Sequence, residues 1–229
     1  MTYNLNTQLT AGNTDVLKAS AGVIEALNWR YAVQAFDSEH KIADDTWRTL
    51  EESLRLAPSS LGLQPWKFIV VTDDEVKAQL VEYSYGQRKV AENSHLLVIA
   101  SKTDYTAEDT AEFMALNARV RGVETTSLDG YAAMINGAAS SRSPEERADW
   151  LRRQAYIPLG MFLTAAALLR VDVAPMEGFV PAEYNRILGL DGTGYSATVI
   201  AAAGYRSQDD KYGHLPKVRY SHADVFLHI

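Results

Sequence analysis

The sequence predicts a single α+β domain with helices on both sides of a sheet. Apolar residues recur at helical spacing in several separate stretches. Between them lie short apolar runs of strand length, at 66–71, 95–100 and 198–203. The size agrees: 229 residues, 47% apolar and 22% charged, suit one ordinary core and exclude a disordered chain.

Taken in order, Val16, Ala19, Val23, Ile24 and Leu27 mark a first amphipathic helix ending near Asn28. Asp44 and Asp45 complement the dipole at the start of a second, which carries Trp47, Leu50, Leu54 and Ala57 on one face and stops at Pro58. The β-rich run 66–71 follows, then a helix capped by Thr72-Asp73-Asp74 that continues through Val76 and Leu80. His95 opens a buried strand. Residues 104–142 hold one helix around 113–120 and then Gly-, Ser- and Ala-rich text, read as a mobile cover. Ser143-Pro144-Glu145-Glu146 is a capping box with Pro at the first helical position, so a long helix starts there, and Pro158 inside it should kink it. A short extended piece at 171–175, a turn at 176–179, a small helix at 181–188 and the strand at 198–203 follow. Residues 223–228 alternate like an edge strand.

A formal net charge of −7 argues against nucleic acid and requires any anionic ligand to be captured by a local cationic cluster. The absence of cysteine excludes disulfides, thiolate nucleophiles and Cys-ligated metals. The first thirteen residues lack a signal-peptide pattern, and the longest apolar stretch, 157–169, is too short to span a bilayer. The expected location is cytoplasmic. The five histidines show no metal-ligand spacing, and His95 reads as a packed core residue. Ser59 and Ser60 lie outside any nucleophile elbow. Gly192-Thr193-Gly194 matches a dinucleotide fingerprint in letters only, because it precedes a strand instead of opening a helix.

Three features suggest a site for a flat, anionic cofactor. Lys217 and Arg219, two apart, can present a point charge and a bidentate fork to a phosphate, with Arg30 as a further cation. Met176-Glu177-Gly178 offers a backbone N–H where Gly permits close approach. Pro58-Ser59-Ser60, leading to Gln64-Pro65-Trp66, joins a helix end to a strand.

These segments, with Arg30-Tyr31-Ala32-Val33-Gln34-Ala35-Phe36, Arg88-Lys89, Ala174-Pro175-Met176-Glu177-Gly178-Phe179 and Leu215-Pro216-Lys217-Val218-Arg219, resemble the FMN-dependent nitroreductases, specifically the oxygen-insensitive, dihydropteridine reductase-like branch. The resemblance implies a three-layer α/β/α sandwich with a mixed, mostly antiparallel sheet. It implies an intertwined homodimer with FMN at the subunit interface, NAD(P)H as co-substrate, and ping-pong hydride transfer through flavin N5 to nitroaromatics or quinones. By carry-over, Arg30, Lys217 and Arg219 hold the FMN phosphate, and Tyr31 and Ala32 lie near the ribityl chain. Gln34, Gly86 and Lys89 lie at the pyrimidine side. Pro175, Met176, Glu177 and Gly178 bring a backbone N–H to N5, while Pro58, Ser59 and Ser60 come from the partner chain. The flavin itself carries the chemistry, and no catalytic side chain is implied.

Gln34 stands where relatives commonly have Lys, and Gly86 where they commonly have Asn. A neutral amide stabilises an anionic reduced flavin less than a cation does, so a lower flavin potential is expected. The segment around Tyr131, Met134 and Ile135 aligns poorly. A same-fold flavoenzyme with another reaction, such as reductive dehalogenation or flavin cleavage, and a non-catalytic flavin-binding protein stay open as alternatives.

Overall fold

The computed structural model describes residues 14–229. Of the first predicted helix, the Val16 side chain lies outside the described residues. The chain runs α1 (Thr14–Trp29), α2 (Asp44–Arg55), β1 (Trp66–Val71), α3 (Asp74–Glu82), α4 (Lys89–Glu92), β2 (His95–Lys102), α5 (Ala107–Arg121), α6 (Asp129–Ser140), α7 (Pro144–Gln154), α8 (Tyr156–Leu168), β3 (Asp172–Met176), α9 (Pro181–Ile187), β4 (Tyr195–Gly204) and α10 (His222–Val225). The four strands are ordered β1-β2-β4-β3. Among the described residues every pairing in this sheet is antiparallel, so the parallel component of the expected mixed sheet is not seen there.

Strand alternation assigns the layers. Leu97, Ile99, Val173, Val199, Ala201 and Ala203 face α2 and α8, packing on Trp47, Leu50, Leu54, Leu159 and Phe162. Their neighbours Leu96, Val98, Ala174, Ile200 and Ala202 face the other way, onto Leu80, Val90 and Tyr184 of α3, α4 and α9. Burying each large aliphatic side chain contributes about 1.5–3 kcal/mol, so a one-residue slip of β2 or β4 would exchange the two faces and is strongly disfavoured.

Three expectations are corrected. The helix from Pro144 is two helices divided at Ala155, and Pro158 is the third residue of α8. First-turn amides have no intrahelical partner, so its missing N–H costs nothing there. Residues 223–228 do not form a strand: Ser221 and Asp224 close a capping box and wind α10, while Val225, Phe226 and Leu227 remain exposed with no strand beside them. The 104–142 region holds two helices, α5 and α6, rather than one. Ile135 and Ala139 of α6 are buried with Leu63, Met114 and Trp150 in a small core of their own. The many small Ala and Gly residues of α6 leave few large apolar side chains to mark its packed face by periodicity.

Candidate functional site

The end of α1 is zipped to the segment that follows β4. Phe36 and Arg206 form an isolated antiparallel bridge, Asp37 N donates to Tyr205 O (2.9 Å), and Ser207 N donates to Ala35 O (2.9 Å). The Arg206 guanidinium is clamped between the rings of Trp29 and Tyr31, 4.4 and 4.6 Å from their centroids, and is paired to buried Asp172. The Asp210 carboxylate then accepts from the backbone N–H of Gln34 (2.7 Å), Ala35 (2.9 Å) and Tyr212 (2.8 Å). Gly213 packs on Tyr31, whose hydroxyl would lie 3.0 Å from any added Cβ.

The zipper carries Lys217 and Arg219 back to Arg30. Lys217 Nζ donates to the Arg30 carbonyl, and all three cations line one cavity of about 400 Å³ with Tyr31, Ala32 and Tyr212. Among the described residues none of the three has a carboxylate within ion-pair distance. Burial, then Arg219, lowers the Arg30 pKa; burial, then Arg30 and Arg219, lowers that of Lys217. Such a self-repelling cluster is relieved by a bound anion. A cavity of about 480 Å³ at Ser101, Arg152, Arg153 and Tyr156 differs, because its Arg153 is paired to Asp149 and its Lys102 to Asp109.

From the cluster, a continuous line of contacts runs to the Glu177–Gly178 turn. Gln34 Nε2 donates to Ala32 O (2.9 Å), and its Oε1 accepts from Lys89 Nζ (2.9 Å). Lys89 is 7% exposed, and this is the one acceptor assigned to its three ammonium protons among the described residues. Burial lowers its pKa, and the Asp210 charge opposes that fall. Two residues before Lys89, Gln87 Nε2 donates to Ser84 O (3.0 Å) and Gly178 O (3.1 Å). Val180 N donates to Tyr83 O (2.8 Å), binding the turn after β3 to the turn after α3. That second turn needs Gly86, which sits at φ 72 beside Tyr85 at φ 55. Pro175 and Met176 close β3, and Tyr156 donates to Glu177 Oε1 (2.8 Å). Burial, then the Glu177 carboxylate, pushes the Tyr156 phenol up to about 12, so it stays a donor.

Among the described residues, Pro58, Ser59 and Ser60 make no hydrogen bond to this line. Ser59 Oγ accepts from Gln64 N (2.8 Å), Ser60 N donates to Gln154 Oε1 (2.8 Å), and Tyr131 donates to Leu61 O (2.7 Å). The turn is bent by Leu61, Gly62 and Gln64 at positive φ. It is therefore fixed to α7 and α6.

The sequence did not single out Asp210, Arg206, Gln87 or Tyr156. Asp210 ends the polar run Ser207-Gln208-Asp209-Asp210, which reads as a solvated loop, and nothing in its spacing marks it as buried.

The cationic end of this surface is suited to an anion. The model of the nitroreductase family matches residues 27–205, which holds most of this line except Lys217 and Arg219. A Bacillus subtilis protein named as an NAD(P)H nitroreductase, YfkO, is 33% identical over 214 residues, covering 89% of this chain and 95% of its own. A Staphylococcus epidermidis protein of the same naming is 34% identical over 214 residues, with 89% and 94% covered. Among solved structures, the B. subtilis nitroreductase ydfN superposes with a TM-score of 0.81 at 24% identity, covering 92% of this chain and 100% of its own. A nitroreductase in complex with FMN from Exiguobacterium sibiricum does so with a TM-score of 0.76 at 19% identity, with 90% and 97% covered. The three-layer arrangement is thus the nitroreductase fold, and the chain is an oxidoreductase belonging to the nitroreductase family.

Proposed function

We propose that the chain binds FMN along the line from Arg30 to Gly178 and uses NAD(P)H to reduce flat, electron-poor acceptors, nitroaromatics and quinones among them. The single observation that carries this is the placement of three unneutralised cations at one end of a surface whose other end holds the Lys89 ammonium and the Glu177–Gly178 turn. The family supplies the flavin and the nicotinamide donor, and the FMN complex of the Exiguobacterium relative supports the choice of cofactor.

The residues divide the work. Arg30, Lys217 and Arg219 hold the phosphate by charge-assisted bonds. Tyr31 and Ala32 border the chain that leads away from it. Lys89, held by Gln34, offers its spare protons to the pyrimidine oxygens and favours negative charge there. The Glu177–Gly178 turn, steadied by Gln87 and Tyr156, presents a backbone donor at the ring's reactive nitrogen. FMN, when bound, would supply the two-electron redox chemistry that links NAD(P)H to the acceptor. The protein contributes orientation and exclusion of water.

Each site is completed by the Pro58-Ser59-Ser60 turn of a second copy. α1 and α8 are neighbours, and Val23, Ile24 and Leu27 on one and Ile157, Met161 and Leu168 on the other stay exposed, an apolar surface suited to a homodimer. Steady-state turnover tests the reading: a nitroaromatic or quinone should be reduced with NAD(P)H by the flavin-bound protein. Bound FMN without turnover would point to another reaction on the same fold, and failure to bind FMN would end the proposal.

A further inference from the structure

Asp210 is a buried carboxylate, 5% exposed, that belongs to no ion pair among the described residues. Its oxygens are instead spent on three backbone amides, those of Gln34, Ala35 and Tyr212. The residue it grips at 2.7 Å, Gln34, is the one whose side chain holds the Lys89 ammonium. Gln34 thus links a fixed negative charge, through its backbone N–H, to the cation assigned to the pyrimidine end of the flavin, held by its side chain. Burial pushes the Asp210 pKa up, but the three amides, with the facing Tyr31 hydroxyl, outweigh it and hold the group below the usual carboxylate range; the Arg206 guanidinium also faces this charge. One of its oxygens accepts from the adjacent Gln34 and Ala35 amides and the other from Tyr212, so the carboxylate bridges the two segments.

We infer that Asp210 is a positioning and tuning residue: its carboxylate latches the Arg30–Gln34 segment to the loop carrying Lys217 and Arg219, and its charge offsets that of Lys89 toward the bound flavin. The two roles have different signatures. A latch affects oxidised and reduced flavin alike, because the phosphate does not change with redox state. A counter-charge beside Lys89 acts on the ring, where reduction adds negative charge, so it lowers the flavin potential. It works in the same direction as the neutral amide at Gln34.

The inference rests on Lys89 facing FMN, and the experiment separates the two claims. The protein and its Asp210→Asn, Asp210→Ser, Lys89→Met and Lys89→Met/Asp210→Ser variants are loaded with FMN. The midpoint potential and the dissociation constant of oxidised FMN are then measured. Ser is included because it keeps an acceptor for the Gln34 amide without the charge. Either neutral variant should raise the potential by about 30 mV, equivalent to about a tenfold gain of reduced over oxidised flavin for a two-electron couple. The rise should be kept when Lys89 is already Met, because the two charges act on the ring additively. Weaker FMN binding with an unmoved potential, or a rise that disappears once Lys89 is Met, overturns the inference. In the apoprotein, the pH dependence of Lys89 acylation, read by peptide mass spectrometry, supplies a readout that needs no flavin. Its apparent pKa should fall in Asp210→Ser and hold in Asp210→Glu, and no fall would equally overturn the inference. Wild-type protein that binds no FMN would remove the flavin reading while leaving the Lys89 measurement to stand or fall alone.

Discussion

Gln87 donates from one side-chain nitrogen to two carbonyls, Ser84 O at 3.0 Å and Gly178 O at 3.1 Å, and so locks two turns from opposite ends of the sheet order to each other. A Cβ built on Gly178 would lie 3.2 Å from that nitrogen and 3.8 Å from the Tyr85 ring. Gly178→Ala should therefore cost about 1–2 kcal/mol, the range of a modest steric insertion. In a Gln87→Ala background most of that cost should disappear, because the colliding group is gone. Urea unfolding of the four proteins checks this, and simple additivity would show that the contact is not the reason for Gly.

The phosphate cluster makes a prediction with opposite signs in two states. Arg30→Ala, Lys217→Ala and Arg219→Ala should each weaken FMN by about 1.5–3 kcal/mol, the worth of a charged hydrogen bond, while riboflavin, lacking the phosphate, is bound as before. Because the cations repel one another when no anion is present, Arg219→Ala should leave the apoprotein as stable as the parent or slightly more so. Flavin fluorescence titration and thermal unfolding measure the two effects.

Stability should fall in mild acid. His95 stacks on Trp47 at 4.1 Å between centroids, and its Nδ1 lies 2.9 Å from Ser94 Oγ. Ser94 Oγ also accepts from Ile42 N (2.8 Å), which ties the imidazole to the loop before α2. Burial, then Lys77, lowers the His95 pKa from 6.5 to about 4. Between these values the unfolded chain binds a proton that the folded one refuses, so unfolding free energy drops as pH falls from 6.5 toward 4 and levels off below. Denaturation across that window, with His95→Phe as the flattened control, decides it; a parent as steep as the control contradicts it.

Gln34→Lys should raise the flavin midpoint potential. The new ammonium would sit beside Lys89 and replace its amide acceptor, placing a second cation at the pyrimidine end. Redox titration of both proteins reads it, and an unchanged potential would end the claim that Gln34 holds the potential down.

What the sequence disclosed depended on how local each signal was. The capping box at Ser143, the Asp73 cap and the three strand runs are written in neighbouring residues, and all are found in place. The cationic cluster was legible only together with the other motifs, since Lys217 and Arg219 alone read as a solvated charged turn. The zipper that carries them to Arg30 was not, because Asp210 and Arg206 act across long separations and look like ordinary loop charges. The alternation at 223–228 was misread for a related reason: a strand pattern needs an edge beside it, and within one chain the Ser221–Asp224 box is the nearer partner.

Assembly is where the account stands or falls, because Pro58-Ser59-Ser60 is fastened to Gln154 and Tyr131 territory and not to the Arg30 line. Sedimentation velocity recorded simultaneously at protein and flavin absorbance tests this directly. The flavin signal should travel with a species of twice the 25.3 kDa chain mass and be lost from monomer as the protein is diluted or as Met161→Glu breaks the apolar face. Flavin sedimenting with a stable monomer would contradict a site shared between two chains.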